Sequence, residues 1–416
     1  MAHRRVEQAR EAAVVQLRAA LHLVRWIVLG AASGALAGVA SYALLESLDR
    51  VTRLRLDEPW LIWLLPVAAG LTGLVYHRWG GRSAAGNALL LEEIHTPTSW
   101  VPRRMAPLIF GGTIVSHLFG ASVGREGSAV QMSGSLSDLL ARTLRLSPGD
   151  RRLLLIAAIA GGFGSVFGVP LAGAVFALEV QAIGRVRYEA LVPALAASVV
   201  GDLVVGGLGY HHAVLPQLDI PVHADVLAKV ALAGLLFGLA STCFTASAHA
   251  IKALAGRLRR PPLRPAVGGL ATLALVALVG RDYLGLSLPI IDATLGGHDP
   301  GLSAFALKLV FTAIALGCGI PGGEVTPLFV IGAALGGGLA AVLGLPVATL
   351  GAVGFVAVFA GAANTPLACT IMGVELFGSG SVVAMAVGCV VAYVSSSHEG
   401  IYASQLLDTP KDGRQA

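Results

Sequence analysis

The chain has 416 residues, of which 55% are hydrophobic and only 13% charged, with a mean hydropathy of +0.77. A soluble domain of this size carries roughly 25% charge, so the composition excludes an ordinary water-soluble fold and points to a bundle of membrane helices. The net charge of +5 is modest, and the basic clusters flank apolar spans without interleaved aromatics, so there is no nucleic-acid signal.

The first 25 residues are basic and precede an apolar run, a weak likeness to a signal peptide. Glu7, Glu11 and the regular Leu/Val spacing after them read instead as a retained amphipathic cytoplasmic helix. Apolar runs then follow at 26–45, 60–76, 105–123, 153–180, 191–208, 226–250, 267–279, 305–316, 328–344, 347–363 and 382–394. Several fall short of the ~20 residues that cross a bilayer upright, and others are dense in glycine. Broken or partial helices are expected, buried in protein or lining a cavity. Basic residues gather at Arg4, Arg5 and Arg10, at Arg142, Arg145, Arg151 and Arg152, at Arg185 and Arg187, and at Arg257, Arg259, Arg260 and Arg264. Positive-inside bias places these clusters at the cytoplasmic face. A polar tail, 409–416, closes the chain with no soluble regulatory domain after it.

The four cysteines, Cys243, Cys318, Cys369 and Cys389, lie in apolar stretches without a CxxC pair and read as small buried apolar residues. His211 and His212 are adjacent but have no Cys or carboxylate nearby in sequence, so neither a metal nor a cofactor is expected. His117, beside Ser116 in mid-span, reads as a hydrogen-bonded packing histidine.

Two segments of the second half echo two of the first. Gly124 opens GREGSAVQMSG and Gly322 opens GGEVTPLFVIG; in both, a Glu comes two residues later and a further glycine, Gly134 or Gly332, eight after that. Pro170 opens PLAGAVFALE and Pro366 opens PLACTIMGVE, each with a Glu nine residues on. The separations are 198 and 196 residues. Two related halves in a membrane protein point to a transporter built from repeats, with its site near mid-membrane where half-helix N-termini converge. The spacing alone leaves parallel and inverted repeats open. A helix N-terminus offers unpaired N–H groups and a partial positive charge, and so favours an anion.

An intramembrane carboxylate is costly and is a functional candidate by default. Glu126 stands at the start of an apolar helix between Arg125 and Gly127. Ionised, it occupies the place of an anion; protonated, it loses its reason to stay. One side chain that competes with an anion and carries a proton is the minimum equipment for anion/proton exchange. The plainer alternative is a salt bridge with Arg125. Glu324 occupies the equivalent place in the second half, where a mere dipole-complementing charge is the alternative. Glu179 and Glu375 end their apolar runs and are read as structural, pairing with nearby Arg or capping loops.

GREGSAVQ (124–131), FGVPLAGAVFALE (167–179), GGEVTPLFVIGAALG (322–336) and GIYASQLL (400–407) together resemble the signature segments of the CLC chloride channels and antiporters, in register from about residue 30 to 407. The resemblance implies an all-α polytopic membrane protein: a homodimer in the lipid bilayer, with one pathway per subunit and two inverted-topology repeats of tilted and partial helices, here 26–210 and 222–408. Departures from the chloride-type pattern select a branch. Where that type carries GSGIP with an anion-contacting Ser, this chain reads GNALLLEEIH (86–95), placing Asn87 or Ala88 at the Ser. GGEVTP replaces GGIFAP, Val180 stands where chloride antiporters keep an internal proton-transfer Glu, and SSHEGIYASQ follows near the end. These features are similar to the fluoride-exporting CLC branch, although the Met common there in the Ser region is absent.

By that resemblance, Glu126 is the gating glutamate and Glu324 the second glutamate of fluoride/proton exchange. Gly124, Arg125 and Gly127 frame the anion-binding helix start, Val325 and Thr326 line the central site, Asn87 matches the selectivity position and Tyr402 the central tyrosine. Fluoride holds water tightly, so its site must replace that water with N–H groups, an amide and hydroxyls. The implied role is export of fluoride for protons across a bacterial inner membrane; the alternative is a chloride/proton antiporter or chloride channel. A membrane enzyme finds no support, since HExxH, GxSxG and paired-Asp constellations are absent from the sequence.

Overall fold

Residues 2–411 are described in the computed structural model; of the polar tail expected at 409–416, residues 412–416 lie outside that range. The basic side chains of Arg4, Arg5 and Arg10 and the Glu11 side chain also lie outside the described part. The expected N-terminal helix is continuous with the first apolar run: α1 spans Ala2–Asp57 without a break. At 1.5 Å per residue, its 56 residues reach roughly 84 Å, far beyond a hydrocarbon core of about 30 Å. Part of it therefore projects from the membrane.

The first half continues with α2 (Leu65–Val75), α3 (Asn87–His95), α4 (Met105–Leu118), α5 (Glu126–Thr143), α6 (Pro148–Phe167), α7 (Pro170–Glu179) and α8 (Leu191–Gly207). The second consists of α9 (Ala224–Gly256), α10 (Leu263–Val279), α11 (Leu288–Leu295), α12 (Leu302–Gly317), α13 (Val325–Leu343), α14 (Val347–Ala363), α15 (Pro366–Phe377) and α16 (Val382–Ser395). Contacts repeat between the halves: α1 packs on α8 as α9 packs on α16, and α5 on α6 as α13 on α14. The short helices α3, α7, α11 and α15, of 8 to 12 residues, are the partial helices that the interrupted hydropathy predicts.

The hand of the repeat is visible where the halves meet. Glu179, at the C-terminal end of α7, accepts from the backbone N–H groups of Leu367 (3.0 Å) and Ala368 (2.8 Å) in the first turn of α15. Glu375, near the C-terminal end of α15, accepts from Leu171 (2.8 Å) and Ala172 (2.7 Å) in the first turn of α7. Each helix thus covers the orphan N–H groups of the other, which requires the two to run antiparallel. The repeats are inverted. This corrects the expectation of Arg partners or loop caps for these two carboxylates: they bond helix N-termini of the opposite half.

Close helix packing absorbs some of the motif glycines. A Cβ on Gly332 would lie 2.0 Å from the Gly354 carbonyl oxygen, so α13 and α14 cross backbone to backbone. Of the four cysteines, Cys318, Cys369 and Cys389 are buried as expected, whereas Cys243 is exposed on the surface of α9.

The last segment is tied back to the core rather than trailing from it. β2 (Leu406–Leu407) pairs in parallel with β1 (Ala182–Ile183), just beyond α7. The Ile401 N–H bonds the Ala362 carbonyl at 2.9 Å, and the Gln405 amide donates to the carbonyls of Val180 (3.2 Å) and Ala363 (3.1 Å). These bonds hold Tyr402 in the interior.

Candidate functional site

The loops before α5 and α13 meet in mid-molecule. Gly124 donates to the Gly323 carbonyl at 2.5 Å and Gly323 to the Gly124 carbonyl at 2.7 Å, an isolated antiparallel bridge. It pins the two helix N-termini against each other. Both helices therefore aim their unpaired N–H groups at one small region.

Glu126, the first residue of α5, is fully buried and its carboxylate lies across the start of α13. Oε2 accepts from the Thr326 backbone N–H at 3.1 Å and from the Arg125 backbone N–H at 3.1 Å, and Oε1 is hydrogen-bonded to the Thr326 hydroxyl. The Arg125 guanidinium comes no closer than 3.6 Å, too far for a hydrogen bond. Backbone and hydroxyl donors hold this carboxylate, not a plain ion pair with its neighbour. A helix start that binds a carboxylate through N–H and O–H groups presents the donors an inorganic anion needs.

Glu324 behaves differently. It precedes the first residue of α13 and makes no side-chain cap on its own helix. Its carboxylate turns instead towards Asn87 and Tyr402. The position on α5 equivalent to Thr326 is Ser128, but the Ser128 hydroxyl bonds Thr113 at 2.7 Å rather than Glu324. A Cβ on Gly127 would lie 3.0 Å from the Asn87 amide nitrogen and 3.4 Å from the Glu324 carboxylate. Only glycine leaves room here for those two side chains to converge.

Beside Asn87 lies a cavity of about 20 Å³, lined on its polar side by Asn87, Glu126 and Tyr402 and by the backbone of Gly127. That is room for one water-sized particle. The rest of the wall is apolar: Leu90, Leu91, Val130, Ile159, Val180 and Val325, with Phe163 and Phe176 stacked at 4.2 Å. Phe176 meets the Tyr402 ring edge-on at 6.2 Å. Of the two residues left open by the sequence, Asn87 lines the cavity and Ala88 does not. The first turn of α3 brings the Asn87 amide to Gly127. The Asn87 side-chain oxygen is buried without a protein partner.

Sequence reasoning missed what fixes α3. Glu93, fully buried, accepts from Arg82, from Arg151 at 3.2 Å, and from the backbone of Thr98 and Ser99. Arg151 also binds Asp138 at 2.6 Å and lies over the Trp100 ring at 4.8 Å. Arg151 was expected as a surface cation of a cytoplasmic cluster; it is buried in this network, which locks α3 to α5 and α6 and so fixes Asn87. The signal was the EE pair of GNALLLEEIH, where a second carboxylate demands a partner.

His117 hydrogen-bonds the Thr113 carbonyl at 2.9 Å and is buried, in keeping with a packing histidine. His212 stands 3.8 Å from Asp202, a carboxylate that sequence proximity did not reveal. Among the described residues, no group of three or more His, Cys, Asp or Glu side chains is arranged to hold a metal.

Comparison with known proteins bears on the same segments. The family described as voltage gated chloride channel matches residues 68–397. The chloride/fluoride channel protein of Pseudomonas syringae pv. tomato is 46% identical over 403 residues, covering 94% of this chain and 89% of its own length. The crystal structure of a CLC-type fluoride/proton antiporter superposes with a TM-score of 0.90 at 31% identity, over 93% of this chain and 99% of that one. A slow cyanobacterial Cl−/H+ antiporter superposes with a TM-score of 0.76 at 19% identity, over 90% and 93% of the two chains, a likeness of fold.

Proposed function

The chain belongs to the voltage-gated chloride channel (CLC) family, and on that premise we propose that it is a membrane antiporter that exports fluoride in exchange for protons. The observation that carries this reading is the Glu126 carboxylate seated on the Thr326 N–H and hydroxyl at the edge of a one-ion cavity. Protonation of Glu126 removes the charge those donors hold. The side chain then leaves, and an anion from the cytoplasm takes its donors. Deprotonated Glu126 returns and displaces the ion outward. One proton-carrying group and one anion thus alternate at one place.

The selectivity rests on the donors. A small, strongly hydrated anion needs several N–H and O–H groups to replace its water. The Asn87 amide and the Tyr402 hydroxyl stand around the cavity, and the Thr326 N–H and hydroxyl hold the Glu126 carboxylate at its edge. Glu324 supplies a second carboxylate beside Asn87 and Tyr402, and Val180, on the cavity wall, has no proton to give. Proton coupling through two glutamates at the helix starts follows, with Gly124, Arg125, Gly127 and Val325 framing the ion.

The repeats are assigned to 26–210 and 222–408 after a cytoplasmic helix at 1–25. The functional unit is a homodimer, as the family implies. The location is a bacterial inner membrane. The printed name of the Pseudomonas relative keeps chloride as the competing substrate.

The test is efflux from reconstituted proteoliposomes with external pH recorded and chloride run in parallel. Proton uptake driven by an outward fluoride gradient, lost in Glu126→Gln and weak with chloride, is the expected result. Chloride transport as fast as fluoride would overturn the fluoride reading, and anion flux without proton movement would make the protein a channel.

A further inference from the structure

A second cavity, of about 160 Å³, opens beside Glu324 and is separate from the one-ion cavity. Thr245, His249 and Lys252 line it from α9, with Glu324 and Ile401 on the facing side. His249 and Lys252 lie in the last two turns of α9, which ends at Gly256 and leads into Arg257, Arg259, Arg260 and Arg264. Positive-inside bias puts that end at the cytoplasm. Glu126 has no exposed surface, whereas Glu324 keeps part of its surface open on this side. His249 is half-buried, and a neighbouring cavity of about 410 Å³ brings His398, Glu399 and Ala403 to its other side.

From this arrangement we propose that the α9 cleft is the cytoplasmic proton exit, with His249 as the station after Glu324. The proposal rests on the antiporter reading and extends it. The proton of a neutral Glu324 carboxyl passes to an imidazole nitrogen of His249, directly or along water in the cleft, leaving a carboxylate and an imidazolium. The imidazolium then releases the proton to cytoplasmic buffer and returns to neutral. Imidazole is suited to the step because one ring nitrogen can accept a proton and later give it up. The charged and titratable groups facing His249 are Lys252 on its own helix, Glu324 at the start of α13, and His398, Glu399 and Tyr402 on the returning segment. The proton leaves past Ile401 and the anion passes Tyr402, which shares the neighbouring cavity with His249.

The experiment measures fluoride-driven proton movement in vesicles for the wild type, His249→Gln and Thr245→Leu. Thr245→Leu fills the cleft without touching either titratable group. His249→Gln is expected to slow proton-coupled exchange by about a hundredfold, the low end for loss of a positioned proton-transfer group, with the apparent fluoride affinity unchanged. Free imidazole on the face carrying the α9 C-terminus is expected to restore the rate. Thr245→Leu is expected to slow exchange without imidazole rescue. His249→Gln exchanging at the wild-type rate, or slowed with no rescue and a changed fluoride affinity, would overturn the assignment while leaving the antiporter intact. A wild type that moves no protons would overturn the antiporter reading itself and this route with it.

Discussion

The starts of α5 and α13 are related by sequence and by the fold's inverted symmetry, yet their glutamates have opposite surroundings. Glu126 crosses to the opposite helix and is held by Thr326; Glu324 turns away from Ser128 towards Asn87 and Tyr402. One is sealed and the other faces a cleft. At the α7/α15 pair the symmetry is kept instead: Glu179 and Glu375 each make two backbone bonds to the opposite helix, at 2.7 to 3.0 Å. Symmetry survives where the carboxylates only satisfy backbone. It is broken where they are to exchange partners, because a site with two equal glutamates would not assign one to the anion and the other to the onward path.

The largest effect that bears on this comparison is expected from Glu126→Gln. Glutamine keeps the shape and can still accept from the Thr326 N–H, but it cannot carry the proton. Proton movement driven by fluoride should fall at least about a hundredfold, into the range for loss of an essential proton carrier; fluorescent pH recording in proteoliposomes measures it. Retained coupling would transfer the carrier role to Glu324 alone.

Next in size is a pair of alanine substitutions at the bridge. A Cβ on Gly323 would sit 2.8 Å from the Gly127 nitrogen, hard against backbone, whereas one on Gly127 first meets the movable Asn87 amide at 3.0 Å and the Gly323 backbone only at 3.2 Å. Gly323→Ala should therefore lower folding yield, read by size-exclusion in detergent. Gly127→Ala should fold and lose fluoride exchange by displacing Asn87. Normal transport in Gly127→Ala would remove Asn87 from the anion site.

A smaller effect separates the equivalent hydroxyls. Thr326→Val removes a bond to a charged group, worth about 1.5–3 kcal/mol, and should weaken apparent fluoride affinity by roughly ten- to a hundredfold. Ser128→Ala removes only a bond to Thr113 and should leave that affinity within about twofold, the remaining loss being one neutral hydrogen bond of stability. Equal effects on affinity would mean that both helix starts bind the ion.

The sequence made the membrane bundle, the repeat and the two Gly-x-Glu starts legible because each is written in local pattern: run length, glycine, and a carboxylate where apolar residues should be. Four motif segments in register extended that to the family. What remained hidden depends on contacts between distant segments. The choice of Asn87 over Ala88 turns on the rotation of α3, which Glu93 and Arg151 fix from 58 residues apart. The Phe163/Phe176 wall reads in sequence as ordinary core. The spacing left the relation of the repeats open; the family resemblance implied inversion, and Glu179 and Glu375 on opposite helix starts display it.

That last pair gives the finest test, because its expected signal is an equality. Each carboxylate satisfies two N–H groups that would otherwise be orphans. Substitution of a capping acceptor costs about 0.5–2 kcal/mol. Glu179→Gln and Glu375→Gln should lower thermal stability in detergent by similar amounts and leave the fluoride/proton ratio untouched. The two caps serve different helices, so the double variant should add the single effects. A marked inequality in stability would mean that the α7/α15 symmetry is geometric but not energetic. A changed exchange ratio in Glu179→Gln alone would mean that this carboxylate, one residue before Val180, takes part in proton movement, and the contrast between a symmetric scaffold and an asymmetric site would then have to be redrawn to include α7.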